Sequence, residues 1–227
     1  MPGLVLNHIR KRIEWRKHAR SVDRMSDLEE FRRYVEQVRP QLFLQYEAVS
    51  AQKRLEFVTV VDELRIPLAS KNFLDIGPGY GDSLAVCRQG GGSADFVEWD
   101  PFFFGYNRLK GFARGYRINH LRQLSRLQPN KYDFIWVKGS VAADFFIRWK
   151  WLIPLPRWLK GVERLGRASC KILICPYWDE RDGKRRVADV QDNWFSDTML
   201  KCGYFILRRI KNHNSEPSYP ITFWKET

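Results

Sequence analysis

The segment Phe73-Leu74-Asp75-Ile76-Gly77-Pro78-Gly79-Tyr80-Gly81-Asp82-Ser83 constrains this chain more than any other. A short apolar run opens directly into a turn with glycine at every second position, and a helical pattern follows. Glycine alone adopts positive φ without cost and lacks the Cβ that would block a close backbone approach. A strand that feeds such a turn and then a helix is the first half of a βαβ unit. The same texture recurs to the end of the chain, with strand candidates at 73–76, 95–99, 116–119, 132–137, 171–175, 205–210 and 221–225. These runs predict a three-layer α/β fold around a seven-stranded, mostly parallel sheet. The last two strands leave no room for a crossover helix between them, so the final strand is expected to run antiparallel.

The glycine positions separate the nucleotide-binding turns from one another. A dinucleotide fingerprint places its third glycine at position 82, where Asp82 stands, and a carboxylate there opposes a pyrophosphate on the helix N-terminus. The Gly-Lys-Ser/Thr ending of a triphosphate-binding loop is absent as well, so NAD and ATP are disfavoured. On these residues the chain resembles the class I S-adenosylmethionine-dependent methyltransferases, whose first motif is an acidic residue at a strand end followed by Gly-x-Gly-x-Gly. Asp75, Gly77, Gly79 and Gly81 match it position for position. The resemblance spans residues 71–227 and implies a Rossmann-like domain with S-adenosylmethionine as cofactor. It further implies that the bare glycines admit the methionine part of that cofactor and that Asp75 serves its cationic amino group.

The second candidate strand ends in Glu98-Trp99-Asp100-Pro101, where the resemblance implies an acidic ligand for the ribose hydroxyls. Two acids compete for that role. Asp100 before Pro101 reads as a helix N-cap with proline at the first helical position, which leaves Glu98 as the ribose ligand. Trp99 either lies along the adenine or is an ordinary buried aromatic. Asn119, after the third strand, stands where many relatives contact the adenine amino group, and its side-chain carbonyl is able to accept that bond. Lys138 ends the fourth strand at a further cofactor position implied by the resemblance.

Methyl transfer displaces a carbon already activated by its sulfonium, so the protein aligns the nucleophile and, for a hydroxyl, takes its proton. Side chains for this task come from loops at the carboxyl ends of strands. Asp144 is the first choice for general base, with Asp179, Glu180, His120 and His213 as further loop candidates. Lys138 replaces the acidic metal ligand of catechol-type enzymes, so no metal is expected. The Asn/Asp-Pro-Pro-Tyr motif of amino-methylating relatives and the Lys-Asp-Lys-Glu pattern of RNA ribose methylation are missing, which favours oxygen over nitrogen on a small or saccharide-like acceptor. An RNA methyltransferase and a cofactor-binding scaffold without catalysis are the alternatives.

The first 70 residues read differently, as a helical extension. Residues 7–24 are densely basic, with Leu6, Ile9 and Ile13 on one face; such a helix lies on an anionic surface or is an outer helix with one core-facing stripe. Ser26 and Glu29 match a capping box for a helix over 27–38, Pro40 stops it, and a third helical pattern covers 42–64. Charge bears on partners: 39 Lys and Arg against 26 Asp and Glu give a net charge of +13. That excess suits an anionic lipid, a phosphate-borne acceptor or RNA. The segment 144–160 interleaves aromatics with Arg and Lys, as an acceptor lid or an interfacial anchor would, and 181–186 is a second basic run able to clamp a phosphate. Four cysteines without a CxxC pair suggest reduced thiols. With no signal peptide and no apolar run near the ~20 residues of a membrane span, a cytoplasmic protein, at most peripheral to a membrane, is expected.

Overall fold

The computed structural model describes residues 2–111, 114–142, 146, 154–177, 191–207 and 222–227. Three helices come first: α1 (Pro2–Arg24), α2 (Leu28–Val38) and α3 (Gln41–Glu63). They are followed by β1 (Asn72–Ile76), α4 (Asp82–Gln89), β2 (Ser93–Val97), α5 (Pro101–Leu109), β3 (Arg114–Tyr116), α6 (His120–Gln123) and β4 (Tyr132–Ala142). The chain closes with α7 (Leu155–Glu163), β5 (Gly166–Tyr177), α8 (Gln191–Lys201), β6 (Phe205–Leu207) and β7 (Thr222–Glu226).

All seven strands join one sheet in the order β3-β2-β1-β4-β5-β7-β6. The pairs from β3 across to β5 are parallel, and β7 is antiparallel to both β5 and β6. The chain moves outward from β1 through β2 to β3 and then returns to place β4 on the other side of β1. Ligands in open α/β sheets bind in the crevice that this reversal opens beyond the strand ends.

Period-two alternation divides the core between the two faces of the sheet. Leu74, Ile76, Ile135, Val137, Ile172 and Ile174 pack on one side with Trp158, Leu159 and Phe195 of α7 and α8. Phe73, Phe134, Trp136 and Leu173 pack on the other with Phe57, Val60 and Val61 of α3 and Leu84 of α4. A third cluster joins Val22, Phe31 and Val35 of α1 and α2 to Phe102 and Tyr106 of α5. The boundary expected at residue 70 thus falls between α3 and β1, while α3 itself forms part of the layer that covers the sheet.

Local details depart from the sequence reading in physically clear ways. The α2 cap sits one residue later than Ser26: Asp27 accepts from the Glu30 amide at 2.8 Å, and Glu30 accepts from the Ser26 amide at 3.3 Å. Ser26-x-x-Glu29 and Asp27-x-x-Glu30 overlap in the sequence, and the carboxylate, which also meets the positive helix end, takes the cap. Strand β2 ends at Val97, so Glu98 lies just past it, and β3 ends at Tyr116 instead of continuing to Asn119. Strands β4 and β5 run past their expected ends.

Candidate functional site

The glycine turn joins β1 to α4 through three left-handed residues, Gly77 (φ 80), Gly79 (φ 56) and Gly81 (φ 75). Gly77 donates to Val97 O at 2.8 Å, which ties the end of β1 to the end of β2 and brings Glu98 alongside the turn. A Cβ built on Gly79 would meet nothing within 4 Å, so the turn faces open space there. Asn107, fully buried on α5, fixes that turn by donating to Gly79 O at 2.7 Å and to Phe103 O at 2.8 Å. Tyr80 points the other way, buried against Phe103 and Tyr106, and its hydroxyl donates to Leu42 O.

Asp75 is 1% exposed. One carboxylate oxygen accepts from the Ser83 hydroxyl, and the other, Oδ1, is buried with no hydrogen-bond partner among the described residues. Burial pushes its pKa up to about 7 against the Ser83 bond and the nearby Lys53 cation. An unpaired buried oxygen is costly, and it marks a place where a donor is missing. The carboxyl lines a cavity of about 80 Å³ with Lys53, Gly77, Trp136 and Lys138. Lys138 pairs with Glu56 of α3. Burial lowers its pKa to about 8, helped by the like charge of Lys53.

Glu98 and Asp100 have separate tasks. Asp100 caps α5, accepting from the Phe102 amide at 2.8 Å and the Phe103 amide at 3.4 Å, and its other oxygen meets Arg39 at 3.1 Å. Glu98, 6% exposed, turns one oxygen back to accept the amides of Trp99 at 2.8 Å and Asp100 at 2.9 Å. Its second oxygen receives no hydrogen bond from any described residue. Burial raises the Glu98 pKa to about 8, against those two amide bonds, with smaller upward contributions from Asp100 and Asp75. Trp99 is not a buried aromatic: it is 53% exposed and stacks on Trp15 of α1, with centroids 4.8 Å apart and planes 29° apart.

The remaining sequence candidates are dispersed. Asn119 is an exposed cap of α6 whose side chain already accepts the Leu121 amide at 3.0 Å, so its carbonyl is partly committed. His120 is buried and lies edge-on to Trp158. Asp144, Asp179, Glu180, His213, the basic run 181–186 and most of the aromatic segment 144–160 lie outside the described residues. Sequence reasoning missed Ser83, Asn107, Lys53, Glu56 and Trp15. Asn107 had a faint signal, as a polar residue in a short, strongly apolar helix; the others match no motif. Among the described residues, no cluster of His, Cys, Asp or Glu would hold a metal ion. No described helix is long and apolar enough to cross a membrane.

The fold is that of the Rossmann-like S-adenosylmethionine-dependent methyltransferases. A methyltransferase of this kind from Archaeoglobus fulgidus superposes with a TM-score of 0.53 at 14% identity, covering 82% of this chain and 99% of its own. One from Aquifex aeolicus superposes at 0.51 and 16% identity, covering 75% and 88%. Magnesium protoporphyrin IX methyltransferase from Synechocystis, crystallised with S-adenosylhomocysteine, superposes at 0.52 and 11% identity, covering 77% and 82%. No protein-family model and no curated protein sequence matches the chain.

Proposed function

We propose that the protein transfers a methyl group from S-adenosylmethionine to an oxygen nucleophile. The observation that carries this reading is the buried, unpaired Oδ1 of Asp75 beside a glycine turn that opens onto free space. The cofactor's ammonium group supplies the missing donor, and the glycine backbone leaves room for its methionine chain. Lys53 and Lys138, in the same cavity, suit the carboxylate of that chain. Glu98 offers its second oxygen to the ribose hydroxyls, since a carboxylate is a strong acceptor for adjacent O–H groups. Trp99, next in sequence, is the platform for adenine. In the reaction the nucleophile forms a bond to the methyl carbon, the C–S bond breaks, and S-adenosylhomocysteine leaves with the bonding pair on sulfur.

The acceptor we favour is a small or saccharide-like molecule carried on a lipid or phosphate, because the chain carries a net charge of +13. Asp144 is the proposed base, and the basic α1 gives a surface for peripheral contact with an anionic membrane. Calorimetric titration with S-adenosylhomocysteine tests the cofactor reading: the native protein is expected to bind, and Gly79→Val to lose binding. The valine places two methyl groups in the open space, at a φ that only glycine adopts freely. Binding of NAD or ATP in its place would refute the reading. Cosedimentation with anionic vesicles and filter binding of an oligonucleotide across a salt series then decide the acceptor class, since each neutralised phosphate steepens the salt dependence of nucleic-acid binding.

A further inference from the structure

We propose that Trp15 of α1 is a positioning residue of the cofactor site, holding the Trp99 ring in the plane on which adenine stacks; this rests on the cofactor reading above. The backbone of Trp99 is fixed on both sides, because its amide and that of Asp100 bind Glu98, and Asp100 caps α5. Among the described residues, no hydrogen bond anchors the indole itself. Trp15 covers one side of it, at 4.8 Å between centroids, and Trp99 remains 53% exposed. A large aromatic this open, joined to the buried carboxylate assigned to the ribose, is a platform with one side backed and, among the described residues, no ring stacked on the other.

The backing has its own foundation. Trp15, His18 and Val22 are spaced three and four apart and so share one face of α1. His18 Nδ1 lies 2.8 Å from the Tyr34 hydroxyl, and its ring packs 5.3 Å from that of Phe102. Val22 fits against Gly105, where a Cβ would come within 2.0 Å of its Cγ1. Arg108 donates to Val22 O at 3.1 Å and to Met25 O at 2.8 Å, and Asp23 meets Arg117 at 2.5 Å. The end of α1 is therefore fastened to α5, the helix that Asp100 starts, and Trp15 is carried at a set height over Trp99. The helix that the sequence presents as a basic extension thereby becomes a wall of the site.

The inference is tested by titrating native protein, Trp15→Ala, Trp15→Phe and Trp99→Ala with S-adenosylhomocysteine and with 5′-methylthioadenosine, which keeps adenine and ribose but lacks the amino-acid end. Loss of a base-stacking partner weakens binding by roughly 5- to 150-fold. Trp99→Ala is expected within that range, and Trp15→Ala at about tenfold, by the same factor for both ligands. Trp15→Phe, which keeps a stacking ring, should recover most of the affinity. The native protein should show a far-ultraviolet exciton couplet from the two indoles that Trp15→Phe removes while leaving binding. Ile13→Ala, at a position 62% exposed on the same helix, should leave affinity unchanged. Native-like affinity in a folded Trp15→Ala protein, or an equal loss in Trp15→Ala and Trp15→Phe, would overturn the proposal. Failure of the native protein to bind either ligand would instead refute the cofactor reading beneath it.

Discussion

Replacing Asp75 by Asn removes a buried charge while keeping its shape and an acceptor for the Ser83 hydroxyl. Burial displaces this carboxyl from an ordinary 3.8 to about 7. A group whose folded pKa lies above its unfolded one contributes stability that is complete below the unfolded value and is lost as pH rises through the folded one. At 1.36 kcal/mol per pH unit, the full displacement corresponds to about 4 kcal/mol lost by pH 8. The asparagine variant has no such slope at this position, and Glu98, raised to about 8 chiefly by its own burial and only in smaller part by Asp75, acts in both proteins and largely cancels. The stability gap in favour of Asp75→Asn should therefore widen by about 3 kcal/mol between pH 5 and pH 8. In a chain of this size that corresponds to a difference in melting temperature growing by roughly 6 to 12 °C. Calorimetric melting of both proteins across the series measures it. The same variant should lose one to two orders of magnitude in affinity for S-adenosylhomocysteine, because the ammonium forfeits a charge-assisted partner. A gap that does not change with pH, or an unchanged affinity, would refute the assignment of Asp75 as a strained carboxylate awaiting a cation.

The other expectations rest on neighbouring geometry. In the native protein, S-adenosylhomocysteine affinity should strengthen from pH 6 to pH 8 as Asp75 ionises, with proton release visible in calorimetry in buffers of different ionisation enthalpy. Glu98→Ala should weaken that binding about tenfold or more, whereas Asp100→Ala should mainly lower the melting temperature, because it removes a helix cap worth about 1 kcal/mol; the reverse order would move the ribose role to Asp100. Gly105→Ala forces a methyl group into Val22, and overpacking of this kind costs about 1–3 kcal/mol. It should speed tryptic cleavage within α1, and unchanged resistance and melting would show that α1 does not depend on this contact.

Much of the architecture was legible in the sequence because it rests on short-range rules. Short apolar runs such as Phe73–Ile76 and Tyr132–Val137 gave strands, Asp100-Pro101 gave a helix start, and the missing crossover before residue 221 gave the antiparallel final strand. Strand ends were less legible, since the chain leaves the sheet at Val97 and Tyr116 for reasons of pairing that no local pattern records. At the site, the left-handed glycine turn and the Asp100 cap were readable because each depends on neighbours one to three residues away. Lys53, Glu56 and Trp15 were not. Lys53 and Glu56 reach the cavity and its Lys138 from α3, which precedes β1, and Trp15 reaches Trp99 from α1, and only the tertiary fold brings them there.

That dependence on distance has a consequence for how the protein is made and kept. The fold is fastened by links such as Lys171 Nζ to Leu64 O, Arg117 to Asp23 and Arg108 to Met25 O, which span 107, 94 and 83 residues. Contacts of such separation must meet a loop-closure entropy before they stabilise anything, and a fold rich in them forms more slowly than one built from local contacts. Phe57 rests on β1 and β4 and Val22 on α5, so α3 and α1 have no surface to cover until those downstream elements are in place. The cavity at Asp75, lined from α3 by Lys53 and from β4 by Trp136 and Lys138, therefore exists only in the assembled fold. A cofactor that binds only the finished pocket would raise the stability of the whole chain in proportion to the logarithm of its concentration over its dissociation constant. The abundance of this protein in a cell would then follow the supply of its own cofactor.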